Sequence, residues 1–359
     1  STMSKLSNRL MKTSPIVISL VSFVLAILVS CVIMLLCGYD PIFAYSVIIE
    51  GSLGSVRSLT NTLIQATPLI FTGLAFMVGK KATLINLGVE GQMYTGAMVA
   101  ALVGMTPLPL PGILHLFLAL VCGVIGGGLA GALIGFLKVR FGSNEVITTT
   151  MTNFIIINFC DYLVNYPLKA EGAVAQTNKI VDGALLGKMI PGYQLTWAIV
   201  IAVLAALIVK FVLEKTRFGY EVRAVGLNMK AAETAGIKVG GVMMKAMLFS
   251  GALAGLCGAV HVTSVGKRFI SGFSPGYGFS GISVAALASD SPLGIILAGI
   301  IFGALKTGAM YLNMMSQIPT EFVSVIQALV VIFVSAPLLI RALIGADRKP
   351  KKGGRSHAE

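Results

Sequence analysis

The feature that most constrains this chain is a succession of apolar segments, each near the length that a membrane-spanning helix requires. About 20 apolar residues cross the hydrocarbon core of a bilayer, and 56% of the 359 residues are hydrophobic whereas 11% are charged. A soluble domain of this size carries far more charge. We therefore predict an all-α polytopic membrane protein with a single transmembrane domain over residues 16–344. Its ten apolar segments cover approximately residues 16–37, 58–79, 84–105, 113–137, 145–166, 193–214, 243–264, 278–290, 292–313 and 322–344.

Two of these segments are defective as membrane spans. Residues 84–92 (Leu-Ile-Asn-Leu-Gly-Val-Glu-Gly-Gln) are too polar to face lipid, and residues 278–290 are too short to cross unaided. Irregular or broken helices are tolerated at membrane depth where protein surrounds them. The sequence thus predicts about ten transmembrane or re-entrant helices.

The placement of the basic residues predicts the orientation. With the N-terminus inside, 19 of the 27 Lys and Arg residues fall on the cytoplasmic side, as the positive-inside rule requires. Both ends are then cytoplasmic: an N-terminal segment 1–15, in which Ser1 and Thr2 are interpreted as a cloning remnant, and a basic tail 345–359 beside anionic lipid. The net charge of +13 is accounted for in this way, and no nucleic-acid partner is expected. The basic residues left outside are Arg57, Lys169, Lys179, Lys188, Lys267 and Arg268.

The sequence also repeats itself weakly. One stretch opens with Phe-Thr-Gly at 71–73 and ends with Thr-Gly-Ala-Met-Val-Ala-Ala-Leu at 95–102. Another opens with Phe-Ser-Gly at 249–251 and ends with Ser-Gly-Ile-Ser-Val-Ala-Ala-Leu at 280–287. The two stretches begin on opposite sides of the membrane in this threading, which is typical of an inverted-topology repeat around a midplane site. The predicted halves are about 58–166 and 243–344.

No pattern for chemistry on a substrate is present in the sequence. It contains no phosphate-binding G-x-x-x-x-G-K-[ST] and no H-E-x-x-H,. The five cysteines form no C-x-x-C pair, and the three histidines are scattered. We therefore expect no catalytic residue, metal or cofactor in this chain.

Polar and aromatic residues in the two defective segments are candidates for a substrate pathway. An ionisable residue at membrane depth suggests a functional role. For Glu90 we favour a structural role, in which it caps the backbone amides of a broken helix, over contact with substrate. In the fifth segment Asn153 is preferred over Asn158 because it lies nearer the midplane. Aromatic rings before the short segment would stack a nucleobase or form an interfacial belt, and Lys306 is expected to extend toward the outer surface. The predicted pathway residues are Asn86, Glu90, Gln92, Asn153, Phe273, Tyr277 and Ser280.

The longest predicted cytoplasmic loop spans residues 215–244. Asn228 is expected to cap a short helix that starts near Met229, and Gly236 to end it. The helix is either an ordinary interfacial helix or a docking element for a cytoplasmic motor.

Three stretches resemble one family. The run Asn86-Leu-Gly-Val-Glu-Gly-Gln92 is similar to the N-[IL]-G-x-E-G-Q motif of permeases in nucleoside and simple-sugar ABC importers, within the branched-chain amino acid/ribose-type permease superfamily. Residues 223–237 resemble the coupling segment of that family, and residues 276–305 its late signature. The resemblance covers roughly residues 58–313. It has two departures: Lys80-Lys81-Ala82-Thr83 is unusually basic, and Ala288-Ser289-Asp290 replaces an expected Gly-Arg-Asn.

The resemblance implies the partners and the cargo. It implies a heterodimer with a second related permease, an ABC ATPase that carries ATP and Mg on the cytoplasmic side, and an extracytoplasmic substrate-binding protein, all at a bacterial cytoplasmic membrane. The chain would form half of a pathway for nucleosides, or alternatively for a monosaccharide or riboflavin. A secondary transporter or channel is the alternative of another class. Such a protein would need acidic residues within the membrane for coupling, and Glu90 is the one acid that the sequence places there. The residues implied in coupling are Arg223, Gly226, Asn228, Ala232, Glu233 and Gly236.

Overall fold

The computed structural model describes residues 15–316 and 318–335, and these residues are almost entirely helical. Apart from two isolated bridges, the described part of the chain contains no β-structure. The predictions for residues 1–14, for the end of the tenth segment at 336–344 and for the basic tail 345–359 lie outside it. The α-helices are α1 (Pro15–Leu36), α2 (Pro41–Leu53), α3 (Val56–Lys81), α4 (Val89–Met105), α5 (Gly112–Phe141), α6 (Glu145–Asn165), α7 (Ala198–Lys215), α8 (Arg217–Leu227), α9 (Met229–Thr234), α10 (Val239–His261), α11 (Tyr277–Leu287), α12 (Pro292–Met315) and α13 (Glu321–Ser335).

Each of the ten predicted apolar segments contains a helix, and within the described residues five of these helices are long and apolar enough to cross a membrane. They are α1, α3, α5, α10 with the π-helical turn Val262–Gly266 that extends it, and α12. Helices α4 and α11 have only 17 and 11 residues, or about 26 and 16 Å at 1.5 Å per residue. Both are shorter than the roughly 30 Å hydrocarbon core, in agreement with the two predicted defects. The number of crossings and the side of each end stay predictions.

Two helices were missing from the sequence-based prediction. Helix α2 begins at Pro41 after Asp40, whose side chain accepts hydrogen bonds from the amides of Ile42 and Phe43 at 2.9 and 3.3 Å. Its 13 residues are too few for a span, so the pattern of apolar segments does not reveal it. Helix α8 precedes the predicted cytoplasmic helix and is capped by Thr216, which accepts from the Gly219 amide at 3.2 Å.

The two predicted halves pack on each other through their first helices. Helix α3, the first of the first half, contacts α12 of the second half, where a methyl group on Gly303 would lie 2.8 Å from the Ala66 nitrogen. Helix α10, the first of the second half, contacts α5 of the first half, where a methyl group on Gly127 would lie 2.5 Å from the Gly251 carbonyl oxygen. Small residues permit such close approach of helix backbones in membranes. The two interfaces join equivalent helices of the predicted repeat.

The short helices α4 and α11 follow the same rule. A methyl group on Gly281 of α11 would lie 2.6 Å from the carbonyl carbon of Thr72 in α3, and one on Gly258 of α10 would lie 2.7 Å from the Ala97 nitrogen in α4. The first helix of each half therefore packs on the second and third helices of the other half. This reciprocal packing is the arrangement that an internal repeat predicts.

The predicted boundaries of the helix in the loop 215–244 are confirmed. Asn228 caps α9 by accepting a hydrogen bond from the Ala231 amide at 3.1 Å. Gly236 has a φ of +85°, in the left-handed region that favours glycine,. The amide of the next residue, Ile237, returns to the Ala232 carbonyl at 3.0 Å. The loop therefore holds two consecutive short helices, α8 and α9, instead of one.

Candidate functional site

The start of α4 is held by Asn86, whose side chain is fully buried. Its amide nitrogen donates to Gln92 Oε1 at 2.9 Å and to Ser250 Oγ at 2.8 Å, while its Oδ1 accepts from the Gly88 amide at 2.9 Å. Ser250 in turn donates to the Ala75 carbonyl at 2.6 Å. Asn86 and Gln92 thus join the loop 82–88 to α3, α4 and α10.

Asn153 of α6 closes the same loop from the other side. Its Oδ1 accepts from the Gly91 amide at 2.7 Å, and its Nδ2 donates to the Leu87 carbonyl at 2.5 Å. The side chain is buried, so it faces the loop and not an open pathway. Asn158, on the other hand, is exposed and bonds only to Phe154 of its own helix among the described residues. A substrate contact for Asn153 stays a prediction.

Glu90 connects the two short helices. Its Oε2 accepts a hydrogen bond from the Gly278 amide, in the first turn of α11, at 2.5 Å, and the side chain is buried. A carboxylate at this position satisfies a helix N-terminal amide and interacts favourably with the helix dipole. This geometry agrees with the preferred interpretation of Glu90 as a cap for broken backbone.

The start of α11 carries a second polar connection and a cation. The Tyr277 hydroxyl donates to Gln65 Oε1 of α3 at 2.9 Å. The Lys306 ammonium lies over the Tyr277 ring, 4.2 Å from its centroid, where a cation is attracted to the ring face. Lys306 therefore points toward α11, and its extension toward the outer surface stays a prediction.

The loop before α11 places its aromatic rings against other rings. Phe273 lies 4.6 Å from Tyr94, 5.3 Å from Phe269 and 5.2 Å from His261, measured between ring centroids. Phe279 is half exposed. Phe273 is thus part of an internal aromatic cluster instead of a belt against lipid. Stacking of a nucleobase on Phe273 or Tyr277 stays a prediction.

Two cavities border the C-terminal half of α12. The smaller, of about 280 Å³, lies between α11, α12 and α13 and includes the predicted residue Ser280 together with Lys306. The larger, of about 740 Å³, lies between α2, α3 and α12, and Met310 lines both. The other residues of the smaller cavity are Pro275, Ala309, Thr320, Glu321, Val323 and Ser324.

The larger cavity is rich in neutral hydrogen-bonding groups. Asn61 and Gln65, one turn apart on α3, line it with Gln194. So does Thr307, whose buried Oγ1 has no hydrogen-bond partner among the described residues. Sequence reasoning missed these residues because it missed α2, the helix that forms one wall. The i, i+4 spacing of Asn61 and Gln65 was the available signal.

The predicted coupling residues lie on α8, at the cap between α8 and α9 (Asn228), on α9 and in the turn after α9. Gly226 packs directly against the Lys81 carbonyl at the end of α3. Ala232 is buried, whereas Arg223 and Glu233 are exposed. Helix α8 therefore rests on the C-terminal end of α3 through Gly226, and the exposed charges of Arg223 and Glu233 remain accessible. Among the described residues, no group of three His, Cys, Asp or Glu side chains is placed to hold a metal ion.

Comparison with known proteins adds the family context. Residues 58–335 match the model of the branched-chain amino acid transport system permease component. The guanosine ABC transporter permease protein NupP of Bacillus subtilis is 36% identical, over 94% of this chain and 98% of its own length. The nucleoside ABC transporter permease protein NupB of Lactococcus lactis is 32% identical over 96% and 99%. The glucose ABC transporter permease protein TsgB13 of Haloferax volcanii is 32% identical over 86% and 84%.

Proposed function

The chain belongs to the family of permease components of branched-chain amino acid transport systems, and on this premise we propose that it is the membrane subunit through which an ATP-driven importer passes nucleosides. The observation that carries the transport assignment is the meeting of α4 and α11 at Glu90 and Gly278. Two helices too short to cross the bilayer begin side by side within the bundle, one from each half. Broken helices of this kind form the midplane site of transporters built from repeats.

The cargo is assigned from chemistry and from relatives together. A nucleoside is uncharged, carries several hydroxyl groups and has an aromatic base. Carboxamides and hydroxyls dominate the polar lining of the larger cavity, beside one acid (Glu50) and one base (Arg57). The volume of about 740 Å³ is in the usual range for small-molecule sites. The two relatives named for nucleosides cover this chain more fully than the glucose permease does.

A second permease completes the pathway in this proposal. Helix α6 carries a row of large apolar side chains that are exposed in the isolated chain, and a related subunit would cover part of this face. The residues in this row are Met151, Phe154, Ile155, Phe159 and Tyr162.

Energy comes from a partner in this proposal, and this chain is not catalytic. An ABC ATPase carrying ATP and Mg docks on α8 and α9, with Arg223 and Glu233 as exposed charged contacts. A substrate-binding protein delivers the nucleoside on the outer side of a bacterial cytoplasmic membrane. Replacing Glu233 with Arg should abolish cargo-stimulated ATP hydrolysis, while the two permeases still copurify; unchanged stimulation would exclude this docking surface.

Uptake into proteoliposomes tests the function as a whole. The complete complex is reconstituted with its binding protein outside and ATP inside, and labelled guanosine is added. We expect uptake that requires ATP and that excess unlabelled guanosine, but not glucose, suppresses. ATP-driven uptake of glucose without guanosine would assign the sugar instead, and guanosine uptake without ATP would indicate a secondary transporter.

A further inference from the structure

The two places where the sequence departs from the family pattern meet in space. Lys80, in the unusually basic run before the Asn86 motif, lies with its Nζ 2.6 Å from Oδ2 of Asp290, the residue that stands where an asparagine was expected. The two residues are 210 positions apart, and they join the first half to the second. An added cation and an added anion are therefore one ion pair.

The aspartate is held in an unusual backbone. Ser289 and Asp290 have φ values of +50° and +55°, in the left-handed region that non-glycine residues seldom adopt. They form the turn between α11 and α12. The second carboxylate oxygen, Oδ1, is buried and has no hydrogen-bond partner among the described residues. Lys80 is thus the cation that fixes this carboxylate, and through it the turn.

The end of α3 that carries Lys80 also leads into contacts with α8 and α9. The Lys81 carbonyl supports Gly226 of α8, and the Thr83 hydroxyl lies 3.7 Å from Met229 Sδ of α9. Residues 80–83 therefore touch α8 and α9 on one side and the turn after α11 on the other. A displacement of α8 and α9 has a direct route to the second short helix.

We propose that Lys80 and Asp290 are positioning residues that transmit movement of α8 and α9 to α11, and so link ATP hydrolysis to opening of the pathway. This inference rests on the proposed function. Lys80 is about half exposed, at 49%, and Asp290 is 23% exposed. Because Lys80 is half exposed, solvent screens the pair and reduces its own contribution to folding stability. Thermal stability is therefore measured beside uptake, so that an effect on coupling is separated from an effect on folding.

A charge exchange separates this role from a general structural one. The variants are Lys80→Glu, Asp290→Lys and the double exchange, in the complete reconstituted complex. Lys138→Glu is the matched control, because Lys138 forms an ion pair of similar length with Glu145, at 2.7 Å, within the first half alone. The readouts are guanosine taken up per ATP hydrolysed, ATP hydrolysis without cargo, and thermal stability of the complex.

We expect each single variant to lower guanosine uptake per ATP by about five-fold or more, in line with usual coupling energies. The double exchange should return the ratio to within about two-fold of the unchanged complex, as a direct pair interaction requires. Lys138→Glu should leave the ratio unchanged, and melting temperatures should stay close together. An unchanged ratio in both single variants, or a double exchange no better than either, would overturn the proposal.

The same experiment distinguishes this proposal from the function on which it rests. If the unchanged complex takes up no guanosine with ATP, the nucleoside assignment fails. The ion pair is then judged by ATP hydrolysis without cargo, which the single variants should alter and the double exchange should restore. Hydrolysis that is identical in all four complexes would exclude the ion pair as well.

Discussion

The starts of α4 and α11 occupy equivalent places in the predicted repeat, yet they are built differently. At α4, the polar side chains of Asn86, Gln92 and Asn153 are buried and bonded to one another or to the backbone around them. At α11, Ser280 lines a cavity with Lys306, and Phe279 is exposed. The N-terminus of α4 is therefore closed off by hydrogen bonds, whereas the N-terminal part of α11 borders a cavity.

This difference teaches that polarity at membrane depth does not by itself indicate a pathway. A buried amide that satisfies broken backbone contributes to the fold, whereas a side chain that lines a cavity can be reached by a solute. Substitutions at the start of α4 should therefore reduce stability, and substitutions at the start of α11 should change uptake by a complex that still folds.

The largest effect on stability is expected at Asn86. Asn86→Leu removes hydrogen bonds to Gln92, Ser250 and Gly88 and leaves buried groups unpaired, at about 1–3 kcal/mol each. We expect a loss of about 3 kcal/mol or more, measured as the shift in the denaturation midpoint of the purified protein. Melting within the error of the unchanged protein would show that the start of α4 is not sealed.

A smaller loss of stability is expected at Asn153. Asn153→Leu leaves the Gly91 amide and the Leu87 carbonyl without their partner, at a cost of about 2 kcal/mol. Asn158→Leu is the matched control on the same helix, because its side chain is exposed; its effect should stay within about 0.5 kcal/mol. Equal shifts for the two asparagines would contradict the distinction between the buried and the exposed face of α6.

At α11 the expected effect is on uptake. Lys306→Met removes the cation over Tyr277, worth about 1 kcal/mol, so the protein should remain folded. If Lys306 borders the route, guanosine uptake per complex should fall by about five-fold for a similar change in interaction energy. Lys306→Arg keeps the cation and should retain most of the uptake. A fall in stability without a change in uptake would place Lys306 in the fold alone.

Local features of the fold were predictable from the sequence. Polarity predicted the broken segment at 84–92, and segment length against bilayer thickness predicted the one at 278–290. Capping chemistry predicted Asn228 and Gly236 as the ends of a helix. These features depend on residues that are close together in the chain, and the structure confirms them.

Features that depend on distant residues were not predictable in the same way. The bond from Glu90 to Gly278 and the ion pair from Lys80 to Asp290 join residues 188 and 210 positions apart. A single sequence shows that each group is unusual but not which groups meet. The pattern of apolar segments predicts the depth of Asn153 in the membrane, and on that ground the residue is a pathway candidate. The direction of its side chain depends on how α6 packs, which the pattern does not show.

The most direct test of the central distinction is thiol accessibility at the two starts. Ser280→Cys and Ser250→Cys are made separately in the complete complex and treated with a charged thiol reagent that does not cross membranes, with labelling measured above that of the native cysteines. The account predicts labelling at Ser280→Cys, which lines a cavity, and none at Ser250→Cys, because Ser250 is buried against Asn86. Labelling at Ser250→Cys with none at Ser280→Cys would contradict it.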